Sequence, residues 1–241
     1  WNPYYSTPNR RQNYKIEQHK DWWKNYQTFT ENQLGELMSD YGSMDILWLD
    51  GGWVRGDDVN LDRVLEKARK THPGLISVDR SIRGKNENYQ TPERSIPATQ
   101  LNYPWESCIT LSNDWGWVPN APYKSPEKVI SILAEIVAKG GCLALGVGPT
   151  ADGIIEQPVV DRLHKIGEWM RTNGEAIYST RTTPVYNDGK TWFTANKDGE
   201  TLYAIYTVSD GETLPATIEW KGNLPKGKMT LLQTGKKVKY S

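Results

Sequence analysis

MDILWLDGG, residues 44–52, is a short apolar run closed by an Asp and two glycines. A run of that length bounded by turn residues predicts a strand buried on both faces, as in a parallel sheet covered by helices. The segments around it keep the same rhythm. Upstream, TENQLGELMSDYG (30–42) offers a Thr cap, apolar Leu34, Leu37 and Met38, and Gly42 as a stop, which predicts a helix. The first thirty residues are polar and aromatic without clean periodicity and predict a long loop leading into it.

Downstream, VNLDRVLEKARKTHPG (59–74) predicts a helix and LISVDR (75–80) a second buried strand. LNYPWESCITL (101–111) contains or abuts a third strand, and CLALGVGP (142–149) reads as a fourth. Between them SPEKVISILAEIVAKGG (125–141) carries a Ser cap, Pro at the first helical position and terminal glycines, all helix signals. EQPVVDRLHKIGEWMRTNGEAIY (156–178) predicts a further helix.

Strands alternating with helices imply parallel βαβ units, so the fold class is α/β. Asp50, Arg80, Glu106 and the Gly146–Thr150 turn are placed at strand ends by this reading. In a (β/α)8 barrel that edge carries the active site, and an open doubly wound sheet also binds ligands there. After Arg181 the pattern changes to period-two segments separated by Asp-Gly, Gly-Asn and Pro-Lys-Gly turns, predicting antiparallel strands of an appended β-sandwich. The expected division is residues 1–182 as the second half of a (β/α)8-like domain and 183–241 as a partial sandwich. Only four strand–helix units are visible, so both ends look cut relative to complete domains.

The 29 Lys+Arg balance 29 Asp+Glu, which argues against nucleic acid or an anionic membrane as the main partner. No stretch approaches the ~20 apolar residues of a membrane span. Eleven Trp and 13 Tyr stand against 2 Phe, and rings with a flat apolar face and a polar edge suit stacking on sugars as well as a Trp-rich core. Cys108 and Cys142 form no disulfide framework and lack metal-site spacing, although a single bridge is open to them. His19, His72 and His164 are isolated and read as surface or packing residues. No metal and no cofactor is expected.

Asp50 precedes Gly51 and Gly52, which leave room for a substrate carbon to approach a nucleophilic carboxylate; a helix-capping or turn Asp is the competing reading. Trp48 and Trp53 flank it as candidate sugar contacts. Glu106 lies beside Trp105, and a carboxyl against an aromatic ring suits a general acid; the alternative is a strand-end ion pair. Retaining glycosidases need two such carboxyls about 5–5.5 Å apart. Arg80 is a candidate for a sugar hydroxyl or a neighbouring carboxylate, with an ion pair to Asp79 or Glu93 as the rival. Trp115 and Trp117 in NDWGW suggest a stacking wall or core packing, and GVGPTADG lacks phosphate-loop spacing and reads as a tight turn.

LWLDGGW (47–53), VDR (78–80), YQTPE (89–93), PWESC (104–108), WGW (115–117), KGGCLALGVGPTADG (139–153) and IGEWMRTNGEAIYST (166–180) together resemble glycoside hydrolase family 29, the α-L-fucosidases. The resemblance implies a (β/α)8-like barrel followed by a β-sandwich, and retaining hydrolysis of α-L-fucosides. It implies Asp50 as nucleophile, Glu106 as acid/base and Arg80 as a fucose contact, with Trp48, Trp53, Trp105 and Trp117 as further substrate contacts. The partner is then a fucosylated oligosaccharide or glycoconjugate, in a periplasmic, secreted or lysosomal-type compartment. Cys142 and Gly146 stand where family members often show Asn. The family's pocket also draws on first-strand residues that would precede Trp1, so a second chain carrying the N-terminal half of the barrel is one expectation. Another retaining exo-glycosidase, or an inactive carbohydrate-binding fragment, is the alternative function.

Overall fold

The computed structural model describes residues 16–50, 56–79 and 85–241. The chain divides into two compact units, Trp1–Thr91 and Pro92–Ser241. Each is built around one βαβ crossover.

In the first unit, helix α1 (Lys20–Asp40) leads to strand β1 (Ile46–Leu49), helix α2 (Leu61–Thr71) and strand β2 (Ile76–Asp79). The two strands pair in parallel, with Ile46 opposite Ile76 and Leu49 opposite Asp79. Leu61, Val64, Leu65 and Ala68 recur at helical spacing on α2 and are buried. They form one core with Leu34 and Met38 of α1 and Leu47 of β1. Glu31 of α1 clamps the two helices by pairing with Arg63 (3.0 Å) and Lys67 (2.9 Å) of α2.

Two expectations change here. Helix α1 starts at Lys20, not near Thr30. Its first turns mix charged residues with aromatic ones, without the clean periodicity seen from Leu34 on, and Trp23 there is buried. Strand β1 is not buried on both faces, because Leu47 is buried while Ile46 and Trp48 are 48% and 40% exposed. Only the face toward the helices is covered.

In the second unit, β3 (Glu106–Thr110), α3 (Pro126–Ala138) and β4 (Cys142–Gly146) repeat the crossover, and β3 pairs with β4 in parallel from Glu106–Cys142 to Thr110–Gly146. Ser125 caps α3 by accepting from the Lys128 amide (3.0 Å), and Pro126 occupies the first turn, where its missing N–H costs nothing. Segment 92–94 adds a further edge to β3, with Glu93 bridging Cys108 in parallel. Helix α4 (Gln157–Asn173) follows, then three antiparallel strands, β5 (Asn187–Asp188), β6 (Thr191–Ala195) and β7 (Leu202–Tyr206). Ala134 of α3, Ala176, Ile177, Tyr203 and Ile205 share one buried cluster, so the antiparallel sheet packs directly on the helical layer. Beyond β7 the described chain contributes one isolated bridge, Thr230–Lys237. The period-two sequence there supplies alternation without a paired partner strand.

Candidate active site

Asp50 directly follows the last residue of β1 and is exposed. The short strand carries it there because parallel pairing runs to Leu49–Asp79 and no further. Exposed Trp48 precedes it by two residues, on the uncovered face of β1. Trp53 and Arg80, together with Gly51 and Gly52, lie outside the described residues.

Glu106 takes a different position from the one the sequence suggests. It opens β3 and does not end it, opposite Cys142, the first residue of β4. The structure places Trp105, expected as a substrate contact, inside the core. It is 2% exposed in a cluster with Ile109, Ile132 and Ile136, on the α3 side of the strand. Successive strand residues point to opposite faces, so the Trp105 ring and the Glu106 carboxyl diverge. Gly141 is what lets Trp105 in: a Cβ there would meet the ring at 2.5 Å.

The even-numbered face of β3 carries Glu106, Cys108 and Thr110. Because Glu93 is the bridge partner of Cys108, its carboxyl belongs to that same face, two strand positions closer to the C-terminal end. Glu93 is exposed and Glu106 half-buried. Nothing in NENYQTPE (86–93) announces a strand, since it lacks an apolar run, and the role of this segment beside β3 is invisible to periodicity.

At the C-terminal end of β3 and β4 two loops close on each other. A Cβ on Gly148 would lie 2.4 Å from the Trp117 amide nitrogen and 2.6 Å from the Gly116 carbonyl carbon, so the GVGP turn and the WGW loop touch through backbone. Trp117 is half-buried, and its indole N–H is buried with no partner among the described residues. It packs the loop. Trp115, 46% exposed, offers the open ring face of the pair.

The two cysteines remain thiols. Cys142 is exposed overall, yet desolvation and then the neighbouring Glu106 charge push its thiol up, which disfavours thiolate chemistry beside the carboxyl. His19 stacks on Trp22 with centroids 4.4 Å apart, and His72 Nε2 contacts the Met38 carbonyl at 2.6 Å, so both are packing residues. Among the described residues no helix is long and apolar enough to cross a membrane.

Comparison with known proteins joins these pieces. The sequence model of the family described as "Alpha-L-fucosidase" matches residues 1–175. The plasma alpha-L-fucosidase of Rattus norvegicus is 32% identical over 189 residues, covering 72% of this chain and 41% of that protein. The chain spans about two-fifths of the length of the curated relatives it matches. An alpha-fucosidase of Thermotoga maritima superposes with TM-score 0.70 at 28% identity, over 88% of this chain and 49% of that one. A family 29 alpha-L-fucosidase of Bacteroides thetaiotaomicron shares the fold, with TM-score 0.76 at 24% identity, over 93% of this chain and 56% of that one.

Proposed function

The chain belongs to the alpha-L-fucosidase family of glycoside hydrolases, and we propose that it carries the reacting carboxylates of a retaining α-L-fucosidase that releases terminal α-L-fucose from glycans. The carrying observation is Asp50 at the C-terminal end of a parallel strand in a chain whose family match includes that strand. Catalytic groups of (β/α)8 enzymes come from that edge. We read the two βαβ units as parts of such a barrel, spanning residues 1–182, with 183–241 as part of a β-sandwich. The apolar, uncovered face of β1 supports this, since the inward face of a barrel strand is filled by side chains from other strands.

In the proposed double displacement Asp50 attacks the anomeric carbon while a carboxylic acid protonates the departing oxygen. The same group, as a carboxylate, then deprotonates the water that releases fucose. The relative from Thermotoga maritima is described in complex with a mechanism-based inhibitor, which supports chemistry that passes through the enzyme's own groups. Arg80 would hold the sugar, with Trp48 and Trp53 beside the nucleophile. A fucosylated oligosaccharide or glycoconjugate is the substrate.

The sequence gives the acid/base role to Glu106. Strand direction favours a second reading, Glu93. Both lie on one face of β3, but Glu106 opens the strand whereas Glu93 lies level with its middle, nearer the edge where a barrel does its chemistry. The assignment is tested by Glu93→Gln and Glu106→Gln, assayed on a fucosyl glycan and on an aryl fucoside with a good leaving group. The acid/base variant loses about 10²–10⁴-fold on the glycan and far less on the activated substrate, with azide restoring turnover. Asp50→Gly abolishes both activities. If Asp50→Gly keeps normal rates the mechanism fails, and turnover of another chromogenic glycoside in place of fucoside defeats the substrate assignment.

A further inference from the structure

Where β3 ends, the chain forms a half-open cavity of about 260 Å³ whose polar lining is Arg94, Ser95, Thr110 and Lys124, completed by three isoleucines. The only charged groups in that lining are cations. Lys124 donates to the carbonyls of Thr110 (2.7 Å) and Ser112 (3.1 Å), both neutral acceptors, which leaves one of its three N–H groups unspent. Arg94 donates Nη2 to the Asn113 carbonyl (2.6 Å), using one donor of five. Among the described residues neither cation is in a salt bridge.

Lys124 is held below the ordinary lysine range, first by desolvation and then by the like charges of Arg94 and Lys128. No carboxylate offsets those effects. Two cations brought together in a partly dry recess repel each other, and an anion between them removes that cost while using their spare donors. The volume falls below the roughly 300 Å³ at which pockets for drug-sized molecules begin, so it suits a compact group. Arginine's planar fork and lysine's point charge are the usual pair for a tetrahedral oxyanion.

We propose that the Arg94–Lys124 cavity is a binding site for a sulfate- or phosphate-type oxyanion, either as the free ion or as the ester group of a glycan. The site stands on its own residues and does not depend on the fucosidase reading.

Calorimetry on the 241-residue chain tests it, with sodium sulfate and sodium phosphate titrated against sodium chloride at matched ionic strength. Saturable oxyanion binding with Kd on the order of 1 mM is expected, with no comparable chloride signal. Arg94→Gln, whose side chain is exposed, is expected to keep the fold by circular dichroism and to weaken binding at least about tenfold, the loss of one charge-assisted contact. Lys124→Met is the second variant, with the same expected loss. A sulfated and an unsulfated lactosamine then separate the sources. Tighter binding of the sulfated sugar than of free sulfate supports a glycan-borne group, and equal binding supports the free ion. Sulfate binding no better than chloride, or unchanged in folded Arg94→Gln, overturns the proposal.

Discussion

The two crossovers, β1–α2–β2 and β3–α3–β4, follow one plan and bury it differently. In the first, the helix-facing side is packed and Trp48 stands 40% exposed on the other side. In the second, Trp105 is 2% exposed under α3, and Cys108 and Thr110 on the opposite face are buried as well. Two tryptophans in strand segments of similar sequence character thus serve opposite ends. One is fixed by a core, and the other is exposed two residues before Asp50. The motif alone does not say which, because a strand's apolar run is compatible with either face being covered.

That contrast breaks most easily at the tryptophans. Trp105→Ala removes a buried ring seated on Gly141 and is expected to cost about 3–5 kcal/mol. Trp48→Ala removes an exposed ring and should stay within about 0.5 kcal/mol. Urea unfolding followed by far-UV circular dichroism measures both. Equal costs would mean that the open face of β1 is packed in solution.

Glycines sharpen the comparison at the next scale. Gly148→Ala drives a methyl group into the backbone of Gly116 and Trp117, a contact that rotamer changes cannot relieve. An expected loss of about 1–3 kcal/mol follows from overpacking. Gly35 in α1 is the opposite case, where an added Cβ would have nothing within 4 Å. There Gly35→Ala should stabilise by roughly 0.5–1 kcal/mol through helix propensity. Thermal melts of the two variants should shift in opposite directions.

Much of this architecture was legible. The alternation of apolar runs and capped helices locates both crossovers, because burial period and capping chemistry are local properties. Three things were not. The start of α1 at Lys20 lies in turns that mix charged and aromatic residues without clean periodicity, so no pattern marks it. The place of Glu106 within β3 depends on where pairing to β4 begins, and LNYPWESCITL holds several starts equally well. Glu93 is brought to β3 by a bridge within a polar segment, so no periodicity marks it. The position of Asp50 just after β1 was legible because the apolar run, the acid and two glycines are contiguous in the sequence. A position fixed within one segment can be read along the chain, and one assembled by register cannot.

The smallest expected effect distinguishes the units by pH. Tyr203 on β7 is 8% exposed and donates to Glu175 at 2.7 Å. Burial, then that hydrogen bond and the Glu175 charge, push its phenol up to about 12. A raised phenol pKa means that the folded state favours the protonated ring. Its stabilisation is therefore complete below the ordinary value near 10 and is lost as pH rises from there toward 12. Alkaline unfolding should accordingly loosen the α3–β7 core of the second unit, seen as rising amide exchange in Leu202–Tyr206. Tyr203→Phe keeps the packing and removes the titrating group, so the slope over that pH window should flatten while exchange in α2 stays unchanged. An unaltered slope would show that the alkaline sensitivity originates elsewhere.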